Sequence, residues 1–279
     1  MMEHDFITLS DRELHVRVWN RSADKTLVCW HGLARNGADF EPLADALAKQ
    51  GWRVLAPDTI GRGWSQWAER PREEYQFETY SALALGLLEH YRVDRLHWLG
   101  TSMGGLLGMM LTSGPLAGRI ERLILNDIGP AIPTAALRRI TNYVRKTPAF
   151  DTLSAFEERI RTLYAPLGER DDAGWHAMAM ACSRRLPDGR FVTHYDPEIV
   201  GQFSESVPPL DLWSLFDAID CPLMLLHGAQ SDVLTADIVE QMRKRKPQMH
   251  ALTFNECGHA PGLHLQSHID PVAAFLNAG

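Results

Sequence analysis

The sequence predicts an α/β fold in which a mostly parallel sheet is covered by helices on both faces. Short apolar runs typical of strands alternate with segments of helical spacing up to about residue 130, and the alternation resumes near residue 214. Strands buried on both faces are usually continuous apolar runs, as these are. The alternation breaks off between residues 131 and 213, which predicts an inserted helical cap.

The chain opens with a predicted hairpin followed by strand–helix units. Phe6–Ser10 and Glu13–Trp19 alternate in polarity around a tight turn, as antiparallel strands do. Thr26–Trp30 is a short apolar run, which predicts a buried strand. Phe40–Gln50 has helical spacing and stops at a glycine, a common helix terminator. These segments predict the first edge of the sheet and its first covering helix.

The alternation continues through the middle of the core. Trp52–Ala56 and Arg95–Leu99 are apolar runs that predict strands, and Thr79–Tyr91 repeats leucines at helical spacing. A glycine-rich turn leads into a predicted helix at Gly104–Thr112. Arg122–Leu125 then predicts a further strand. Parallel strands need crossover connections, which are usually helices, so this alternation favours a parallel sheet.

The insertion separates these elements from the end of the core. Residues 131–213 are rich in Arg, Glu and Pro, and they contain helical stretches but no convincing strand. After them, Pro222–Leu226 and His250–Phe254 predict strands, whereas Thr235–Arg245 and Leu265–Asn277 predict helices. We therefore assign residues 1–130 and 214–279 to the core domain and residues 131–213 to the cap.

Composition and charge exclude several classes of partner. The chain has 28 Lys and Arg against 35 Asp and Glu, a net charge of −7. A mildly acidic chain is a poor ligand for nucleic acid or an anionic membrane. Its one basic run, Arg243–Lys246, falls at a predicted helix C-terminus, where positive charge complements the helix dipole. We expect neither nucleic acid nor a membrane as partner, and the sequence carries no signal of oligomeric state.

Targeting signals and cysteine spacing favour a cytoplasmic protein. The N-terminus lacks a basic segment followed by an apolar stretch, and no apolar run reaches the roughly 18 residues of a membrane span. The four cysteines are scattered without metal-ligand spacing, so we expect reduced thiols and no metal or other cofactor.

The segment from Gly100 to Gly104 predicts a catalytic nucleophile at Ser102. It has the pattern G-x-S-x-G, follows a predicted strand and opens a predicted helix. Small residues on both sides of the serine permit the sharp turn that raises its hydroxyl above the sheet edge. A serine hydroxyl needs a base to take its proton, and His259 follows the last predicted strand. His31 and His227 suit structural roles better.

The acid that orients His259 has two candidates. Asp232 follows the penultimate strand and precedes His259, which is the expected chain order, so we predict it as the acid. Asp127, at the end of the preceding strand, is the rival. Asp58 precedes the serine and is predicted instead to hold a glycine-rich loop together.

Backbone N–H groups are predicted to stabilise a tetrahedral oxyanion. The elbow geometry supplies the N–H of Met103, and the loop after the first core strand supplies that of Leu33. Trp64, Trp67 and Trp213 are candidate substrate-binding residues, although ordinary core packing is an equal alternative for each.

Five motifs together resemble the α/β-hydrolase superfamily, and most of all its capped esterases, lactonases and carbon–carbon bond hydrolases. They occur in the family's order: His31-Gly32-Leu33, Asp58-x-x-Gly61-x-Gly63-x-Ser65, Gly100-Thr101-Ser102-Met103-Gly104-Gly105, Gly228-x-x-Ser231-Asp232 and Gly258-His259. The resemblance implies an eight-stranded sheet with a helical lid. It also implies Ser102 as nucleophile, Asp232 as acid, His259 as base, and Leu33 with Met103 as oxyanion donors.

Three functions are compatible with these residues. The first is hydrolysis of a small carboxylic ester or lactone through an acyl-enzyme intermediate. The second is carbon–carbon bond hydrolysis of a vinylogous diketone, for which cationic cap residues such as Arg138, Arg139, Arg161, Arg184 and Arg185 would be needed. The third is a non-catalytic small-molecule receptor, which ligand-dependent stabilisation without product formation would reveal.

Overall fold

The predicted sheet is present and has eight strands. The computed structural model describes residues 1–203 and 210–278. Strand order is β1-β2-β4-β3-β5-β6-β9-β10; β2 runs antiparallel to both of its neighbours and the other pairs are parallel. The strands of the chain are β1 (Met2–Leu9), β2 (Arg12–Trp19), β3 (Thr26–Trp30), β4 (Arg53–Pro57), β5 (Leu96–Thr101), β6 (Ile120–Asn126), β7 (Ser183–Arg185), β8 (Phe191–Thr193), β9 (Leu223–Gly228) and β10 (His250–Phe254).

Helices cover both faces of the sheet, and side chains of one strand alternate between two apolar cores. In β3, Val28 and Trp30 face one core, whereas Leu27 and Cys29 face the other. The first core contains side chains of α3, α4 and α9, and the second those of α1 and α10. The helices are α1 (Glu41–Ala48), α2 (Pro71–Glu74), α3 (Phe77–His90), α4 (Met103–Thr112), α5 (Thr134–Val144), α6 (Leu153–Tyr164), α7 (Asp172–Cys182), α8 (Trp213–Asp217), α9 (Ala236–Arg245) and α10 (Gln266–Asn277). Within the described ranges, no helix combines the length and apolar character needed to cross a membrane.

The inserted segment contains α5, α6 and α7 and a small apolar cluster of its own. Phe156 and Ile160 of α6 pack against Trp175 and Met178 of α7. The expectation that this segment lacks strands is wrong, because β7 and β8 form an antiparallel hairpin. Strands of three residues are too short to show a period in the sequence. We keep 131–213 as the proposed extent of the cap; its residues 204–209, including Pro208 and Pro209, lie outside the described ranges.

The turn between β5 and α4 is crowded enough to require glycine. Ser102 has a φ of 52°, a conformation that side-chain-bearing residues rarely adopt. A Cβ on Gly100 would lie 2.1 Å from the Gly104 carbonyl oxygen, and one on Gly104 would lie 2.0 Å from the Trp30 carbonyl oxygen. Close approach of β3, β5 and α4 thus depends on both glycines, and the strained serine is held at the carboxyl edge of the sheet.

Replacing Gly104 by alanine is expected to destabilise the protein by about 3 kcal/mol, because the new methyl group meets backbone and cannot rotate away. The free energy of unfolding from urea titration measures this cost. Gly201→Ala is the matched control, since its Cβ would have no described heavy atom within 4 Å. Equal stability of the two variants would contradict the crowding.

Candidate active site

Ser102, His259 and Asp127 form a continuous hydrogen-bonded chain at the carboxyl edge of the sheet. The Ser102 Oγ lies 2.9 Å from the His259 Nε2, and the His259 Nδ1 lies 2.7 Å from the Asp127 Oδ2. Asp127 is fully buried, and the His259 side chain is mostly buried. With Nδ1–H donating to the carboxylate, Nε2 is left as an acceptor for the serine proton.

Each of these residues is placed by the end of a strand. Ser102 follows β5, Asp127 follows β6, and His259 comes five residues after β10. The Asp127 Oδ1 accepts a hydrogen bond from the Gly228 N–H at 2.7 Å, which ties β6 to the end of β9. Asn126 Nδ2 donates to the Pro261 carbonyl oxygen at 3.0 Å and so joins the end of β6 to the His259 loop.

The prediction that Asp232 orients His259 is contradicted by the geometry. The Asp232 side chain is 50% exposed and is bound in a fork by Arg139, at 2.6 and 2.8 Å. The Ser231 Oγ accepts hydrogen bonds from the N–H groups of Val233 and Leu234 and so closes this turn. The Asp232 carboxylate points to Arg139 of the inserted segment. Asp127, the rival in the sequence, contacts the imidazole instead.

The predicted oxyanion donors lie beside the serine. Met103 is the first residue of α4, so its N–H has no acceptor within the helix. Leu33 lines the pocket around Ser102. Its carbonyl oxygen accepts a hydrogen bond from the Arg62 Nε at 2.8 Å, which fixes this loop. A Cβ on Gly32 would lie 3.6 Å from the Ser102 Cβ, so the loop approaches the serine closely.

The three tryptophans predicted to bind substrate do not line this pocket. Trp64 is 50% exposed and packs against His15 and other aromatic rings near the N-terminus. Trp67 lies under the Arg184 guanidinium, and Trp213 packs edge-on against a phenylalanine of α8. Trp213 is partly buried against the larger apolar core, Trp67 is half-buried outside the core clusters, and Trp64 is exposed.

The pocket is lined by apolar and polar side chains, including two arginines that carry no recognisable motif in the sequence. It encloses roughly 680 Å³ including its mouth. Apolar side chains include Leu33, Ile140 and Leu167, and the charged lining residues include Arg35, Asp39 and Arg170. The cap arginines considered from the sequence (Arg138, Arg139, Arg161, Arg184 and Arg185) are not among its lining residues.

His31 holds the loop that carries Leu33, in keeping with the structural role expected from the sequence. Its ring Nδ1 donates to the Gly32 carbonyl oxygen at 2.7 Å, and Nε2 accepts the Thr59 N–H at 2.9 Å. Complete burial lowers the pKa of His31 to about 4. The imidazole is therefore neutral at physiological pH, as this pairing requires.

Asp58 anchors the neighbouring glycine-rich loop, as the sequence predicts. Its carboxylate accepts the N–H groups of Gly37 at 2.7 Å and Trp64 at 2.9 Å, and it pairs with Arg17 and His15. Burial alone would raise the pKa of Asp58, but the His15 hydrogen bond and the Arg17 charge hold it below its usual range.

One group of described residues has a spacing compatible with a metal ion. The ligand atoms of Glu256, Cys257 and His268 lie within 4.8 Å of one another. Burial raises the pKa of Cys257 to about 12, so its thiol is protonated near neutral pH and is a weak ligand. The contact between Cys257 Sγ and His268 Nε2, at 3.8 Å, is accounted for as a weak thiol–imidazole hydrogen bond.

The free energy of unfolding is expected to fall as the pH drops from about 6.5 towards 5. Unfolded His31 binds a proton below about pH 6.5, whereas the folded residue binds one only near pH 4. Unfolding therefore takes up protons in this window. The free energy of unfolding falls by up to about 1.4 kcal/mol per pH unit for each such histidine. Urea titrations at several pH values measure the slope. His31→Gln should reduce this slope by the contribution of one titrating histidine. An unchanged slope would contradict a neutral His31.

Comparison with known proteins places this architecture in a family. A family profile described as alpha/beta hydrolase fold matches residues 25–263. A 3-hydroxybutyrate-oligomer hydrolase of Cupriavidus necator is 34% identical over 253 residues, which span 87% of this chain and 85% of the relative. An alpha/beta hydrolase of Novosphingobium aromaticivorans superposes with a TM-score of 0.88 at 34% identity, covering 99% and 98% of the two chains. A presumed hydrolase of Rickettsia typhi gives 0.91 at 27% identity, with coverage of 99% and 98%. The chain therefore belongs to the α/β hydrolase fold family and is a hydrolase.

Proposed function

We propose that this hydrolase cleaves carboxylic esters of small hydroxy acids through an acyl-enzyme formed on Ser102. The observation that carries the proposal is the hydrogen-bonded chain from Ser102 through His259 to the buried Asp127, with contacts of 2.9 and 2.7 Å. A serine so placed is activated for attack on a carbonyl carbon. Lactones present the same carbonyl group and are included in the proposed substrate class.

The proposed reaction follows from the hydrogen-bond roles of these residues. His259 removes the Ser102 proton while the oxygen attacks the ester carbonyl, and the oxyanion accepts the N–H groups of Leu33 and Met103. Collapse expels the alkoxide, which takes the proton from His259. Water then attacks the acyl-enzyme, His259 takes the water's proton, and the acid is released as Ser102 regains a proton. Asp127 stays ionised and stabilises the transient imidazolium.

The pocket supports a short, mainly apolar acyl or alcohol chain. Apolar side chains such as Leu33, Ile140 and Leu167 share its walls with polar groups, a common combination in a small-molecule site. The curated relative from Cupriavidus necator is named for hydrolysis of 3-hydroxybutyrate oligomers. Short linear esters of 3-hydroxybutyrate are therefore the first substrates to test.

A second candidate is hydrolysis of a carbon–carbon bond in a vinylogous diketone. One feature favours it: Arg170 supplies a cationic group in the pocket wall, as such an anionic substrate would need. Comparing ring-cleavage products with simple esters as substrates separates the two reactions.

Substitution of Ser102 by alanine is expected to abolish ester hydrolysis, because the acyl acceptor is removed. Turnover of 4-nitrophenyl butyrate and of the linear 3-hydroxybutyrate dimer measures the loss. In parallel, a fluorophosphonate should add one adduct mass to the wild type and none to Ser102→Ala. Equal hydrolysis by both proteins would overturn the proposal. Ligand-dependent stabilisation without turnover of any substrate would support a receptor instead.

Asp127→Asn is expected to lower kcat by about 10⁴-fold, because a neutral amide favours the wrong imidazole tautomer and cannot stabilise its charged form. Asp232→Asn is the matched control, since it disrupts only an exposed pair worth less than about 1 kcal/mol. Its kcat should stay within about threefold of the wild type. The reverse ranking of the two variants would restore Asp232 as the acid.

A further inference from the structure

Two arginines face the pocket, but only one of them has its charge compensated. The Arg35 Nε donates to the Asp39 Oδ2 at 2.9 Å, and a second guanidinium nitrogen donates to the other carboxylate oxygen. The Arg35 Cζ also lies over the Tyr164 ring, 4.3 Å from the ring centroid. Arg35 and Asp39 therefore form a neutral pair within the wall.

Arg170 has no such partner. Among residues 1–203 and 210–278, no carboxylate forms an ion pair with it, and its Nε is buried without a hydrogen-bond acceptor. Burial lowers the pKa of Arg170, although the charge of Asp39 acts in the opposite direction. A buried donor on a charged group costs free energy when it is left unpaired. A carboxylate that reached the Arg170 guanidinium from the pocket would compensate a charge that the described residues leave without an ion pair.

The position of Arg170 ties this charge to the reacting serine. Arg170, Ser102 and His259 line one pocket, together with apolar side chains such as Leu167 and Ile140. Because the charges of Arg35 and Asp39 cancel, the three charged residues Arg35, Asp39 and Arg170 together give the wall about one net positive charge. A ligand with an ester carbonyl at Ser102, an apolar chain and a terminal anion matches this arrangement.

We propose that Arg170 binds a carboxylate of the substrate, so that the pocket selects esters that carry a free carboxylate over neutral esters. This inference rests on the proposed function and narrows its substrate class to monoanionic hydroxy-acid esters, such as short oligoesters with one free acid end. A guanidinium presents parallel N–H donors to both oxygens of a carboxylate. Since arginine stays protonated throughout the neutral range, the selection persists wherever the carboxylate is ionised.

The test compares two substrates that differ only in charge: the linear 3-hydroxybutyrate dimer and its terminal carboxamide. The wild type should prefer the acid by roughly 10- to 100-fold in kcat/KM, as expected for a charge-assisted hydrogen bond. Arg170→Gln should reduce that preference to about twofold or less. The preference is a ratio of two kcat/KM values measured on one preparation, so it does not depend on the fraction of the variant that is folded.

Arg161→Gln is the matched control, because Arg161 lies in the same inserted segment but pairs with Glu157 and Asp172 outside the pocket. It should keep the wild-type preference. The proposal is overturned if the wild type does not discriminate, or if Arg170→Gln discriminates as well as the wild type does.

A binding measurement separates failure of this inference from failure of the proposed function. Calorimetry of Ser102→Ala with hexanoate and hexanamide should detect binding of the anion alone, and the additional change Arg170→Gln should abolish it. Hexanoate binding through Arg170 without hydrolysis of any ester would overturn the proposed ester hydrolysis but support the carboxylate site. Ester hydrolysis together with equal binding of hexanoate and hexanamide would overturn only the proposed carboxylate site.

Discussion

The buried carboxylate of Asp127 is the constraint on which the rest of the site depends. One oxygen accepts the Gly228 N–H and the other contacts the His259 imidazole, each at 2.7 Å. A fully buried charge is tolerated only when its acceptors are used, so the ends of β6 and β9 and the His259 loop must converge. Ser102 lies at the far side of that imidazole, on the crowded turn that only glycine neighbours allow.

The inserted segment also holds the loop that carries His259. The Gly258 N–H donates to the Pro166 carbonyl oxygen at 2.8 Å, and the Gly262 N–H donates to that of Leu167 at 3.0 Å. The loop that carries His259 is thus held on both sides by the short stretch that leads to Arg170. The position of His259 and the position of Arg170 are consequently linked through these hydrogen bonds.

Local patterns made most of the fold predictable, because apolar runs and helical spacing are set by neighbouring residues. Ser102 and His259 also followed from local motifs. Asp127 could not be chosen over Asp232 in this way: both follow strands, and the choice depends on which turn directs its carboxylate inward. Arg170 carries no motif in the sequence, and its neighbours Asp171 and Asp172 could each have compensated its charge. In the structure Asp171 caps α7 and Asp172 pairs with Arg161, so neither compensates Arg170.

The His259–Asp127 hydrogen bond can be observed directly by proton NMR of ¹⁵N-histidine-labelled protein. A short bond to a buried carboxylate shifts the Nδ1 proton far downfield and shields it from exchange with water. This resonance should be present in the wild type, persist in Asp232→Asn and disappear in Asp127→Asn. Its loss in Asp232→Asn, or its survival in Asp127→Asn, would show that Asp127 is not the partner of His259.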